Sequence, residues 1–259
     1  MKLRDWVKGG RERAETRRNG VFFDLYGTLI DIRTDEYDPW VYLTLAQYLS
    51  YLDVHISPEE LKSRFFGWVE AMMKQSPEKY PEVDVFEVFR NIMTAFGRTR
   101  PTKYRIVTAA MLFRSLTRKQ FGLFPGVPET LGRLKQRFRL GLISDAQWVF
   151  SEPEMEITGV KGFFETRLLS SKLGFKKPDA RIFLKAMNAL RVRPEDAVYI
   201  GDNPSKDLVG ARNSGMKCII FRSPLSQFDG TKYNGFRPDA CIQSYAELNP
   251  ILDDIFGKA

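Results

Sequence analysis

Val21-Phe22-Phe23-Asp24-Leu25-Tyr26-Gly27-Thr28-Leu29-Ile30-Asp31 is the stretch on which the reading of this chain turns. Three apolar residues form a short buried strand, and an aspartate stands where that strand should end. Gly27 follows three residues after Asp24 and permits a sharp backbone turn. In a parallel α/β sheet, ligands bind outside the carboxyl ends of the strands, which puts Asp24 at such an edge. A carboxylate there can be a nucleophile, a metal ligand or a helix cap. The rest of the chain has to decide among these.

At 259 residues and 43% hydrophobic content, the chain can bury one large core or a core with an insert. Its formal charge of +8 favours anionic ligands, although most basic residues of any protein lie on solvated faces. Cys218 and Cys241 sit in apolar, strand-like surroundings without metal-motif spacing, which predicts reduced thiols in a cytoplasmic protein. His55 is the single histidine. Serine or cysteine hydrolase chemistry would have to pass through that one residue, and a histidine-rich zinc site is excluded. No stretch reaches the roughly 18 to 20 apolar residues of a membrane span. Residues 1–19 are basic, lack the apolar core of a signal peptide, and read as an extension.

Beyond Asp31 the alternation of strand and helix breaks off. From Asp38 to about Gly122 the spacing predicts only helices. Ser57-Pro58-Glu59-Glu60 marks one clear start, with Ser57 as N-cap and Pro58 in the first turn. Four helices without an intervening strand predict a helical bundle over 38–122, inserted into a core made of 20–37 and 123–259. Alternation then resumes. Strands are predicted over Arg139–Ile143, Thr166–Leu169, Ala197–Ile200 and Lys217–Phe221, with a last short one at Ala240–Ile242. Helices lie between them, which implies right-handed crossovers and a parallel sheet.

Three of these strands end in polar groups: Asp24, Ser144 and Asp202. A parallel sheet brings all three to one edge. The Lys176-Lys177-Pro178 loop can add a cation there, and Asp207 follows near the start of the next helix. The four segments D-L-Y-G-T-L (24–29), L-I-S (142–144), K-P-D (177–179) and G-D-N-P-S-K-D (201–207), in this order, resemble the haloacid dehalogenase-like hydrolase superfamily. The resemblance covers most of the chain and implies a Rossmann-type α/β core with an inserted all-helical cap.

The resemblance also implies roles. Asp24 would attack phosphorus to form an aspartyl-phosphate, which water hydrolyses. Mg²⁺ would be held by Asp24, the backbone carbonyl of Tyr26, and Asp202. Thr28 and Ser144 would hydrogen-bond phosphoryl oxygens, with Gly27 and Asp145 among the substrate-binding positions. Lys177 would offset the charge of Asp24 and the transferring group. Asp207 would orient Lys177 or a metal-bound water.

At Tyr26 the chain departs from the phosphatase pattern, in which a second aspartate two residues after the nucleophile protonates the leaving group. Tyrosine there resembles the metal-free 2-haloacid dehalogenase branch, whose halide leaves unprotonated. Other positions point back. That branch has neutral side chains where Asp202 stands, asparagine in place of Asp145, and a cap arginine soon after the first motif. No arginine occurs between Arg33 and Arg64. Two carboxylates about 4 Å apart would repel by roughly 4 kcal/mol at an effective dielectric of 20, which a divalent cation removes.

The expected activity is therefore that of a Mg²⁺-dependent phosphatase acting on a small phosphate ester. The alternatives are a 2-haloacid dehalogenase and a regulatory protein that has lost catalysis. Specific nucleic-acid binding and membrane association are not expected, and no sequence feature sets an oligomeric state. Trp40, Trp68, Arg64 and Arg105 are the candidate cap contacts, and the aromatic content of 38–51 predicts a fairly apolar pocket.

Overall fold

The computed structural model describes residues 19–257, apart from 224, 225, 227 and 229; the basic residues 1–18 lie outside the described part. Strand β1 (Gly20–Phe23) is buried along its whole length and runs parallel between β4 (Arg139–Ser144) and β6 (Ala197–Gly201). With β5 (Thr166–Leu169), β7 (Lys217–Phe221) and β8 (Ala240–Ile242) they form a six-stranded parallel sheet in the order β5-β4-β1-β6-β7-β8. Side chains alternate across its two faces. Val21 and Phe23 pack with Leu131 and Leu134 of α5 (Val127–Arg137) and Leu252 of α9 (Leu248–Phe256). Phe22 faces the other layer, against Ile182, Phe183 and Ala186 of α7 (Ala180–Ala189). Full burial of each phenylalanine favours folding by about 1.5–3 kcal/mol, so this three-residue apolar run pins the register of the central strand.

The register sets the site. Phe23 pairs with Leu142 on one side and Ile200 on the other. Asp24 therefore leaves the sheet at the level of Ile143 and Gly201, with Ser144 as the last residue of β4 and Asp202 as the first beyond β6. The Asp24 N–H still donates to the Ile200 carbonyl at 2.9 Å, so the sheet itself fixes the carboxylate's origin.

Between β1 and β4 lie α1 (Pro39–Tyr51), α2 (Pro58–Gln75), α3 (Val85–Phe96) and α4 (Lys103–Thr117). Each carries an N-cap side chain accepting from the first turn: Asp38, Ser57, Asp84 and Thr102. Their apolar faces enclose a separate core that includes Leu45, Phe65, Phe89, Ile92 and Phe113. Val149 and Phe150 of α6 (Trp148–Ile157) complete this core from the sheet side.

Two local features differ from the sequence expectation. The segment Arg118–Leu123 is a strand, β3, paired antiparallel with β2 (Ile30–Thr34), where the pattern gave only helix up to about 122. R-K-Q-F-G-L is mostly half-exposed, so its strand character comes from the distant partner rather than from its own periodicity. The ribbon carries the chain out to the helices and back. The helix expected from Ser205 to Ser214 opens instead with a π-type turn over Pro204–Leu208 before α8 (Val209–Asn213). The side chain of Asn203 caps it, accepting from the N–H groups of Ser205 and Lys206. Among the described residues, no helix is long and apolar enough to cross a membrane.

Candidate active site

The four sequence segments converge at the carboxyl edge of the sheet. Lys177 is buried between two aspartates, its Nζ 3.0 Å from Asp24 Oδ1 and 2.7 Å from Asp207 Oδ1. It also donates to the Tyr199 hydroxyl at 3.0 Å, and that hydroxyl lies 2.9 Å from the Ile143 carbonyl. Asp207 Oδ2 accepts the Asn203 N–H at 2.9 Å. Gly201 lets this carboxylate approach the strand, since a Cβ there would fall 2.4 Å from Asp207 Cγ. Both oxygens of Asp207 are thus engaged by protein groups. Asp207 holds Lys177 from behind, the orienting position expected of it, and it also belongs to the acidic group in which a metal ligand was expected.

Asp24 and Asp202 remain facing each other. One oxygen from each, together with one from Asp207, lies within 4.8 Å of the others. Thr28 donates its hydroxyl to Asp202 Oδ1 at 3.2 Å. Gly27 has φ of +81°, and a Cβ on it would fall 2.6 Å from Asp202 Oδ2, so glycine is needed both for the turn and for the carboxylate's approach. Asp24 Oδ1 is buried without a well-directed hydrogen bond, although Lys177 lies within ion-pair distance. Burial pushes the Asp24 carboxyl up to about 6 against the attraction of Lys177, while burial and then the neighbouring Asp24 push Asp202 up to about 7. Asp24, which shares its one ammonium with Asp207, and the half-buried Asp202 beside it fit a divalent cation.

Carboxyls whose folded pKa lies above the unfolded value near 4 confer full stability below pH 4, and that stability is lost as pH rises towards 7. Without metal, Asp202→Asn should therefore be more stable than the parent at pH 8, by on the order of 2 kcal/mol, and equal to it below pH 4. Urea unfolding in chelator at the two pH values measures this. A variant less stable than the parent at pH 8 would show that Asp202 is not a strained carboxylate.

Ser144 is buried at the end of β4, close enough to Asp24 to help hold it ionised. Asp145 accepts the backbone N–H of Lys177 at 2.9 Å and lies 3.2 Å from Lys206 Nζ. It ties the Lys177 loop to the strand end, a structural duty beside the substrate contact expected of it.

Tyr26 is directed to a group that sequence reasoning missed. Its hydroxyl donates to Glu154 of α6, and Arg114 of α4 binds the same carboxylate through two hydrogen bonds, 2.8 and 3.1 Å long. The Arg114 guanidinium also lies 5.2 Å from the ring centroids of both Tyr26 and Phe150. Burial, and then the Glu154 charge, hold the Tyr26 hydroxyl well above the usual tyrosine range. Its proton is committed to Glu154. Glu154 reads in sequence as one polar residue among several in S-E-P-E-M-E, and nothing there marks it as buried.

A cavity of about 230 Å³ lies between the inserted helices and the core, lined mainly by Phe65, Phe66, Val69, Phe113 and Phe150 with Glu36. The expected contacts Trp40, Trp68, Arg64 and Arg105 do not line it. Trp40 and Trp68 are 57% and 36% exposed, and Arg64 pairs with Glu60 on the outer face of α2. This cavity is largely apolar, and its aromatic residues come from the inner helix faces.

The family of haloacid dehalogenase-like hydrolases matches residues 21–221. Among relatives, a protein named glyceraldehyde 3-phosphate phosphatase of Methanothermobacter thermautotrophicus is 30% identical over 61% of this chain and 70% of its own. Others carrying that name are matched over 41 to 57% of their length. A phosphoglycolate phosphatase of Aquifex aeolicus is 26% identical over 90% of this chain and 96% of its own. Among solved structures, a 2-haloacid dehalogenase of Pseudomonas syringae superposes with a TM-score of 0.63 at 24% identity, over 92% of this chain and 99% of the other, which shows the shared fold. With the family match spanning the whole edge from Asp24 to Asp207, this chain belongs to the haloacid dehalogenase-like hydrolases.

Proposed function

We propose that the protein is a Mg²⁺-dependent phosphomonoesterase acting on a small phosphate ester through an aspartyl-phosphate at Asp24. The observation that carries this is the second, half-buried carboxylate at the same sheet edge. Asp202 stands within 4.8 Å of the nucleophile's carboxylate in a site whose lysine is already shared between Asp24 and Asp207. A dehalogenase without metal would have only the shared Lys177 to offset that repulsion. Bound through Asp24, the Tyr26 carbonyl and Asp202, Mg²⁺ would supply charge neutralisation for the phosphoryl oxygens.

The chain's own groups account for the rest. Asp24 is the nucleophile, and Lys177 holds it ionised and oriented, itself fixed by Asp207 and Tyr199. Ser144 and Thr28 hold phosphoryl oxygens, Thr28 by turning its hydroxyl from Asp202. Helices α1–α4 act as the cap, joined to the core by the β2–β3 ribbon. The relatives named as phosphatases support the same reaction.

Tyr26 sets the leaving-group preference. A phenol whose proton is bound to Glu154 is a poor general acid, and a missing general acid typically costs on the order of 10² to 10⁴ in rate. Aryl phosphates, whose leaving groups need little protonation, are expected to be turned over far faster than alkyl phosphates of similar size. A phosphatase panel with and without Mg²⁺, run beside Tyr26→Asp, tests the reading. The variant should narrow the aryl-to-alkyl gap. Equal rates for both classes in the parent would mean that another group delivers the proton.

The committed Tyr26 proton also suits halide, which leaves unprotonated, so a 2-haloacid dehalogenase is the second reading. Chloride release from 2-chloropropionate in the presence of chelator would establish it in place of the first.

A further inference from the structure

We infer that the cavity between the inserted helices and the core seats a cationic amine on the leaving group of the phosphate ester, with Glu36 as its counter-ion and Phe65, Phe66, Phe113 and Phe150 as its walls. The inference rests on the phosphatase reading and names the class of ester.

Among the described residues the Glu36 carboxylate has no hydrogen bond and no ion pair, although it lines the cavity. The other polar groups there are accounted for. Gln147 accepts from the Val85 N–H and donates to the Val83 carbonyl, both at 2.8 Å. Glu82 accepts from the Val83 N–H at 3.0 Å and the Ser170 hydroxyl at 2.7 Å. Lys176, the one cation of the lining, acts on Glu82. Arg114 is the charge that acts on Glu36, and its guanidinium is bound to Glu154.

Burial raises the Glu36 carboxyl, as expected of a charge without an adequate counter-ion. Aromatic faces carry the negative part of the ring quadrupole and attract a cation, most strongly where water is excluded. Four phenylalanines and Glu36, the lining carboxylate without a hydrogen bond or ion pair among the described residues, are therefore a better host for an ammonium than for an anion or a neutral polyol.

None of Asp24, Thr28, Ser144, Lys177 and Asp202 lines the cavity, but close neighbours of the site do. Gln147 follows Asp145 by two residues, Lys176 precedes Lys177, and Phe150 shares the Arg114 guanidinium with Tyr26. Its volume of about 230 Å³ falls below the usual range of roughly 300–1,000 Å³ for larger ligands. That space suits a phenyl ring or short chain ending in an amine and excludes a nucleoside.

Three esters of matched leaving group decide the matter: 4-(2-aminoethyl)phenyl phosphate, 4-ethylphenyl phosphate, and the analogue bearing a propanoate chain. The amine is expected to show a KM about tenfold below that of the ethyl ester, with the propanoate poorest, and Glu36→Gln should bring the amine-to-ethyl ratio close to one. Tyramine binding by calorimetry in chelator gives a readout independent of turnover, with binding expected to the parent and lost in Glu36→Gln. Turnover of all three esters with equal KM and no tyramine binding would overturn the inference and leave the phosphatase reading standing. Glu36-dependent tyramine binding without turnover of any ester would do the reverse. A preference for the propanoate would show that Lys176 governs the cavity and would also overturn it.

Discussion

Asp24→Asn is expected to abolish hydrolysis of phosphate esters while leaving the fold intact. The change keeps the shape of the side chain and the backbone bond to Ile200, but an amide cannot displace a leaving group at phosphorus. Loss of a nucleophile that acts together with its oriented neighbours typically costs on the order of 10⁴ to 10⁶ in kcat. The variant also removes one of two facing carboxylates, so metal-free protein should be no less stable than the parent near neutral pH. Turnover of an aryl phosphate, and trapping of a phosphorylated Asp24 in the parent but not the variant, are the two measurements. Residual activity above a hundredth of the parent would mean that water attacks directly and that Asp24 serves only the metal.

The positions of Asp24, Ser144 and Asp202 were legible because each follows from strand-end chemistry, and Lys177 from the basic loop ahead of α7. A short apolar run, then a polar residue, then a turn gives the same answer whether read in sequence or in space. Parallel topology supplies the convergence, which the register of β1 with β4 and β6 delivers. What stayed hidden depended on partners far along the chain. Glu154 becomes a buried anion only because Tyr26 lies 128 residues before it and Arg114 lies 40 residues before it. Strand β3 exists only against β2, and Tyr199 looked like another apolar strand residue until its hydroxyl was placed between Lys177, Asp207 and the Ile143 carbonyl. Trp40 and Trp68 misled in the opposite direction. Large aromatics suggested a pocket, but the helical phase puts both towards solvent, and the adjacent Phe65 and Phe66 face inward instead.

Lys177 explains why the acidic site is tolerated by the fold, and its removal should have the largest effect on stability. At 2.7 Å from Asp207 and 3.0 Å from Asp24, it is the buried cation between them. Each contact gains roughly 6 kcal/mol of Coulomb energy at an effective dielectric of 20, and desolvation of all three charges cancels much of that sum. Deleting one partner removes the attraction but leaves the desolvation of the others. Lys177→Met, which keeps most of the side-chain volume, should therefore destabilise the metal-free protein by about 3 to 5 kcal/mol. The two carboxylates hold the Lys177 ammonium well above the usual lysine range, so in the parent this stabilisation is complete below the unfolded value near 10.4 and is lost only above it. In the variant the loss should grow between pH 5 and pH 8, because the Asp24 carboxyl, already pushed up by burial, must ionise there without its counter-ion. Urea unfolding of both proteins in chelator across that interval measures the difference. A loss that is small or independent of pH would show that Lys177 is not the charge that makes Asp24 and Asp207 compatible, and the assignment of Asp24 as a pre-ionised nucleophile would fall with it.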